Sequence, residues 1–263
     1  MKIKVLAENC AKSEEFTAEH GLSLYIESSG KKILFDMGKT DAFAENAKKL
    51  GVNLADIDFA VLSHGHYDHG GGLKKFLEIN ETAPVYMSRY AFGEHYADNS
   101  ARFIGIDKSL EGNERMIQVG NHFEISEGFE LFSFNESVRS YKTEAFALTA
   151  KIDGEFVEED FRHEQYLMIN ENGKKILISG CSHKGILNIM EWTKPDVLVG
   201  GFHFFKVDIS DGSSEFLDNA AKVLNGFNTS YYTCHCTGEE QFKYLKPKMN
   251  NLVYISCGDV VEI

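Results

Sequence analysis

Between an apolar run and a glycine cluster lies Leu62-Ser63-His64-Gly65-His66-Tyr67-Asp68-His69, which reads His-x-His-x-Asp-His. Interiors accept so many imidazole and carboxylate donors in so short a stretch only when something satisfies them. In an extended segment His64 and His66 point the same way, because side chains alternate with a period of two. Asp68 and His69 fall beyond the strand end, where the chain turns into Gly70-Gly71-Gly72. One pair can grip one metal ion and the next pair a second ion close by. The fold must therefore end a buried strand at a metal site and bring further ligands to it from elsewhere.

At 263 residues the chain can bury a sizeable core. Only three prolines occur and no Pro/Ser-rich linker divides the sequence, which reads as one domain over residues 1–263. The net charge of −13 weighs against nucleic acid as a partner, and none is expected, since binding it relies on clustered Lys and Arg. Arg102, Arg139, Lys142, Lys184 and Lys206 could each hold a small anion, but a solvated surface charge is the simpler expectation for any one of them. No stretch approaches the roughly 20 apolar residues that span a bilayer, so no membrane partner is expected. The segment Met1–Leu6 runs into Glu8 and Asn9 without the apolar core of a signal peptide. Five cysteines are an odd number, and Cys234 and Cys236 flank His235. Free thiols and a cytoplasmic location are expected rather than a disulfide framework.

Periodicity predicts strands over Lys2–Leu6, Leu22–Glu27 and Lys32–Phe35, the last two a hairpin turning at Gly30. Helical spacing covers Asp41–Leu50, the strand Phe59–Leu62 delivers the histidine motif, and Gly71–Leu77 starts a helix beyond it. Residues 89–122 mix aromatic and polar side chains with weak periodicity and read as an irregular excursion near the active-site mouth. Strands Tyr166–Ile169 and Lys175–Ile178 flank the turn signal Asn172-Gly173. A helix over Gly185–Trp192, a strand at Val197–Val199, a helix over Ser213–Leu224 and a strand at Tyr231–Thr233 follow. Thr237-Gly238-Glu239-Glu240 has the form of a capping box, and Val253–Ile255 and Val260–Ile263 close the chain as strands.

The histidine motif, the preceding Ile33-Leu34-Phe35-Asp36-Met37-Gly38, and the later Gly180-Cys181-Ser182-His183, Gly200-Gly201-Phe202-His203 and Cys234-His235-Cys236-Thr237-Gly238 form an ordered set. It resembles the metallo-β-lactamase superfamily over nearly the whole chain. The branch it is most similar to includes the archaeal dihydropterin–ribofuranosyl-aminobenzene-phosphate synthase. The resemblance implies an α/β (α+β) fold, the αββα sandwich of two packed mixed sheets with helices on the outer faces and ligands on loops at one edge. Zinc is the first expectation, two ions per chain, with iron or manganese as alternatives.

The first metal is expected on His64 and His66, the second on Asp68 and His69, with His183 and His235 completing the set. Cys181 stands where the superfamily often has an aspartate and one lactamase group has cysteine, so it is the alternative ligand. The superfamily's intermediate histidine has only a loose match in His163, for which a surface position is the simpler expectation. His95 and His122 read as lone histidines, and His20 carries no derivable role. Asp36 is expected behind the ligands, accepting a hydrogen bond from an imidazole or the loop backbone. Gly200 and Gly201 permit close approach of a ligand to the backbone, and His203 is expected to act on the substrate, with Asp68 the other catalytic residue.

These features fit a binuclear metal-dependent hydrolase that directs a metal-activated hydroxide at a small ester, lactone or phosphoester. The alternative is a transferase like the pterin synthase, working on an anionic or phosphorylated small molecule with the same ligands. A di-iron redox protein comes third, because such relatives have a carboxylate where this chain has His66 and carry an electron-transfer domain.

Overall fold

The computed structural model describes residues 1–143 and 145–263. Two seven-stranded sheets make up its centre. In order across the first lie Val260–Glu262, Lys2–Ala7, Ser23–Ser28, Lys31–Phe35, Phe59–Val61, Val85–Ser88 and Met116–Val119. The second runs Leu252–Tyr254, Ser230–Thr233, Val197–Val199, Lys174–Ile178, Tyr166–Glu171, Phe129–Phe132 and His122–Ser126. Each sheet is antiparallel in one part and parallel in the other, the parallel runs being Lys31–Phe35 to Met116–Val119 and Lys174–Ile178 to Leu252–Tyr254.

Alternation divides each strand between two cores. Ile3, Val5, Ile33 and Phe35 from the first sheet meet Leu167, Ile169, Ile176 and Ile178 from the second. The opposite faces take the helices. Leu34, Ala60 and Leu62 pack against Phe43 and Ala47 of the helix Ala42–Lys49 and Phe76 of Leu73–Ile79. Across the molecule Leu177, Leu198 and Tyr231 pack against the helices Ile186–Thr193 and Glu215–Leu224 and Leu245 of Glu239–Leu245. This is the αββα order of layers. The parallel strands of both sheets deliver their carboxyl-end loops to one edge, where open α/β sheets collect ligands.

Three local expectations need correction. The segment 89–122 is not irregular throughout: Glu94–Ala97 and Arg102–Phe103 pair with each other, and Glu94–Ala97 pairs with Thr149–Ile152. With Glu155–Glu158 they form a third, four-stranded sheet. The capping box at Thr237 does not form. Gly238 precedes the helix with φ 81°, while Thr237 Oγ1 accepts the Phe202 N–H at 2.8 Å and meets the Thr233 hydroxyl. Asp68 and His69 do not lie in open loop but in a helical turn, Tyr67–Gly70. Among the described residues no helix is long and apolar enough to cross a membrane, and all five cysteines are free.

Candidate metal centre

The centre is built outward from Asp36, where the strand Lys31–Phe35 ends and φ turns to 57°. Its carboxylate is fully buried and fully used. Oδ1 accepts the Ser63 backbone N–H at 2.7 Å; Oδ2 accepts the Ser63 hydroxyl at 2.7 Å and His69 Nδ1–H at 2.6 Å. With its hydrogen given to Asp36, Ser63 Oγ is left to accept from His64 Nδ1, 2.8 Å away. A side chain at Gly180 would forbid this arrangement, since its Cβ would fall 2.2 Å from Ser63 Oγ. On the far side, Asn9 Oδ1 lies 2.8 Å from His235 Nδ1, and Glu8 accepts the His235 backbone N–H at 2.6 Å. His64, His69 and His235 thus carry their proton on Nδ1 and turn the Nε2 lone pair inward.

Those lone pairs converge. His64 Nε2 lies 3.3 Å from His183 Nε2, and His69 Nε2 lies 3.2 Å from both His235 Nε2 and Cys181 Sγ. His66 Nε2 is buried without a hydrogen-bond partner among the described residues. The donor atoms of His64, His66 and His183 lie within 4.8 Å of one another, as do those of His64, His69 and Cys181, and those of His20, Asp68 and His235. Facing lone pairs repel, and an unpartnered buried nitrogen is costly. A cation among them removes both penalties, so the donor set fits a divalent metal.

The charges agree. Burial pushes His64, His66 and His183 well below the ordinary histidine range, and His235 down to about 4. Burial also opposes charge on His69, but Asp36 and Asp68 outweigh it and raise its pKa. For Asp68 burial favours the neutral acid, yet His69, His20 and His235 hold it well below the usual carboxylate range. Its Oδ2 is 3.3 Å from His20 Nε2, 3.4 Å from His235 Nε2 and 3.7 Å from His69 Nε2. Mostly neutral imidazoles around an ionised carboxylate are the state in which these groups bind metal.

His64 and His66 gather with His183. Asp68 lies 3.7 Å from His69 and 3.4 Å from His235, and it is also 3.3 Å from His20, a residue given no role from sequence. His163 is not on the surface. It is fully buried, its Nδ1 accepts the Gly65 N–H at 2.8 Å, and its ring stacks on His95 with centroids 3.8 Å apart. A neutral ring that accepts through Nδ1 carries its proton on Nε2, which makes His163 a donor rather than a lone-pair ligand. His95 is buried too, held by Glu159 at 2.7 Å, while His122 stays on an exposed strand beside Glu130.

Lys184 is likewise no surface charge. It is fully buried, and its ammonium donates to Ser133 O, Asn135 Oδ1 and Glu164 O at 2.5–2.9 Å. Glu164 accepts the backbone N–H groups of both His183 and Lys184, at 2.7 and 3.0 Å, and so fixes the loop that carries His183. Glu8, Asn9 and Glu164 gave no signal in the sequence, because their partners are more than fifteen residues away.

His203 sits with φ 58° and its ring centroid 4.2 Å from that of His183. Neither ring nitrogen has a hydrogen-bond partner among the described residues, and burial pushes its pKa to about 3. Gly200 and Gly201 do not leave room for a ligand: a Cβ at Gly200 would lie 1.9 Å from Ser179 O, and one at Gly201 would lie 2.3 Å from Cys236 Sγ. Their role is strand-end packing. A cavity of about 220 Å³ opens over Asp68, Cys181, His183, His203 and His235, with Arg102 and Lys206 also in its wall.

Residues 16–118 match the Metallo-beta-lactamase superfamily. An uncharacterized protein of Methanocaldococcus jannaschii is 32% identical, the alignment covering 99% of this chain and 100% of that one. The chain belongs to the metallo-beta-lactamase superfamily. Within it, the chain is homologous to the 7,8-dihydropterin-6-methyl-4-(beta-D-ribofuranosyl)-aminobenzene-5'-phosphate synthase of the same organism, 30% identical over 90% of this chain and 88% of that protein. The crystal structure of a metal-dependent hydrolase of the beta-lactamase superfamily superposes with a TM-score of 0.84 at 29% identity, covering 100% of this chain and 99% of that one.

Proposed function

We propose that the protein is a metal-dependent hydrolase of small ester, lactone or phosphoester substrates, with two divalent ions held by His64, His66 and His183 and by Asp68, His69 and His235. The observation that carries this is the set of three histidines with Nδ1 committed to hydrogen bonds and Nε2 turned to a common centre. Cys181, 3.2 Å from His69 Nε2, is a further donor where a carboxylate is usual. Imidazole-rich donors suit zinc, and iron or manganese next.

When bound, such ions supply positive charge for a developing oxyanion and a water whose pKa falls to about 7. The remaining work belongs to the protein. Asp36 and Asn9 hold their histidines in the ligating tautomer. His203, neutral and without a hydrogen-bond partner among the described residues, offers an N–H to a substrate oxygen. Lys206 places positive charge at the cavity wall, which suits an anionic small molecule, while Arg102 in the same wall is paired with Asp98 at 2.9 Å.

The 30% identity to the synthase supports a second reading, a transferase built on the same ligands. One assay separates the two. Metal-loaded protein is given phosphodiester, ester and lactone substrates, and separately a dihydropterin with an aminobenzene ribofuranosyl phosphate. Chelator-sensitive turnover of the first group is the expected result; a dihydropterin-dependent product alone favours the transferase, and turnover indifferent to metal removal overturns both.

A further inference from the structure

A second cavity, of about 180 Å³, adjoins the metal-side cavity and shares two walls with it, His183 and His203. Its other lining is mostly apolar, with Lys142, Thr143 and Ser182 the polar exceptions. Phe146, Phe202, Phe204, Val207 and Phe216 face it. Phe204 meets Phe216 edge-on, with centroids 5.5 Å apart and planes at 88°, and meets Phe202 at 5.8 Å and 74°. Phe146 lies 5.5 Å from the His203 ring. Aromatic faces and edges set at steep angles make a slot for another flat ring, which prefers edge-to-face or offset contacts.

We propose that this cavity takes an aromatic ring of the substrate, so that the enzyme acts on aryl-bearing anions whose reacting group lies at the metal centre. The inference rests on the function proposed above, and adds to it the substrate class and the residues that select it. The volume suits one ring system rather than a long chain. Lys206 stands at the boundary: it lines the metal-side cavity, donates from Nζ to Phe146 O at 3.0 Å, and lies 5.9 Å from the Phe146 ring centroid. It anchors the aromatic wall while offering charge to a negative group attached to the ring. His203, between the two cavities, meets the join of ring and reacting group.

The test is equilibrium binding to zinc-loaded protein, by calorimetry, of phenylphosphonate against methylphosphonate, which share a head group and differ in the ring. Phenylphosphonate is expected to bind at least about tenfold tighter, as burial of an aromatic ring requires. Phe216→Ala, at a half-exposed helix position that folding tolerates, is expected to remove most of that preference while zinc content and methylphosphonate affinity stay unchanged. Phe146→Ala should act in the same direction. Equal affinities in the parent protein, or variants that weaken both ligands alike, overturn the proposal. If neither phosphonate binds, the metal-centre function has failed, and phenol observed by NMR decides the cavity separately: binding that Phe216→Ala abolishes sustains the aryl site, and no binding rejects it.

Discussion

Asp36 shows how much one carboxylate can organise. It fixes the backbone of Ser63, the hydroxyl of Ser63 and the ring of His69, and through that hydroxyl it sets the tautomer of His64. Asp36→Ala removes all four constraints, and metal affinity is expected to fall roughly 10–100-fold, measured by competition with a chromogenic chelator. Asp68→Ala is expected to lose one metal equivalent preferentially, because Asp68 gathers with His235 and not with His64 and His66; elemental analysis of the purified variant reads the stoichiometry. His203→Ala separates substrate chemistry from metal binding. Metal content should be unchanged and turnover lowered by roughly 10²–10⁴, whereas a structural role would lower the melting temperature and leave turnover per folded molecule intact.

Strands whose two faces both meet apolar layers, such as Lys31–Phe35 and Tyr166–Glu171, were legible because their hydrophobic runs are short and bounded by turn residues. The third sheet was not. Glu155–Glu158 is exposed throughout and Thr149–Ile152 buries only Ala150, so they lack the alternation that a buried face imposes. A signal was nonetheless present: Asp153-Gly154 is a hairpin turn pair, and both residues adopt positive φ, 51° and 88°. In Glu94–Ala97 the period of two hides His95 and Ala97 inside while Glu94 and Tyr96 sit further out. The ligands near the histidine motif could be read from local spacing; the residues that orient them could not, since Asn9 and His235 meet only through the fold. The strand-end glycines are stricter than sequence implied. Gly200→Ala places a Cβ against Ser179 O at φ 146° and should destabilise the protein by more than about 1 kcal/mol, seen as a lower urea midpoint.

Taken together, the buried histidines make the metal-free protein sensitive to acid. His64, His66, His163, His183, His203 and His235 all have pKa values lowered by burial, and only His69 is raised, where the nearby carboxylates outweigh burial. A histidine with a depressed folded-state pKa gives full stability above its unfolded value of about 6.5 and loses it as pH falls below that, because the unfolded chain binds the extra proton. The raised His69 works in the opposite sense but is outnumbered. The urea midpoint of metal-free protein should therefore drop between pH 7 and pH 5; a flat midpoint would contradict the burial assigned to these rings. A kinetic consequence follows from the spacing of the centre along the chain. His64 and His183 are 119 residues apart, and His69 and His235 are 166. Contacts so distant in sequence are costly to form early, so the ligands are expected to assemble after the folding barrier has been crossed. Interactions absent from a transition state slow unfolding and leave the folding rate alone. Zinc should thus act as a latch on the finished molecule: stopped-flow refolding runs at the same rate with or without it, while unfolding in denaturant becomes slower in proportion to the affinity of the site.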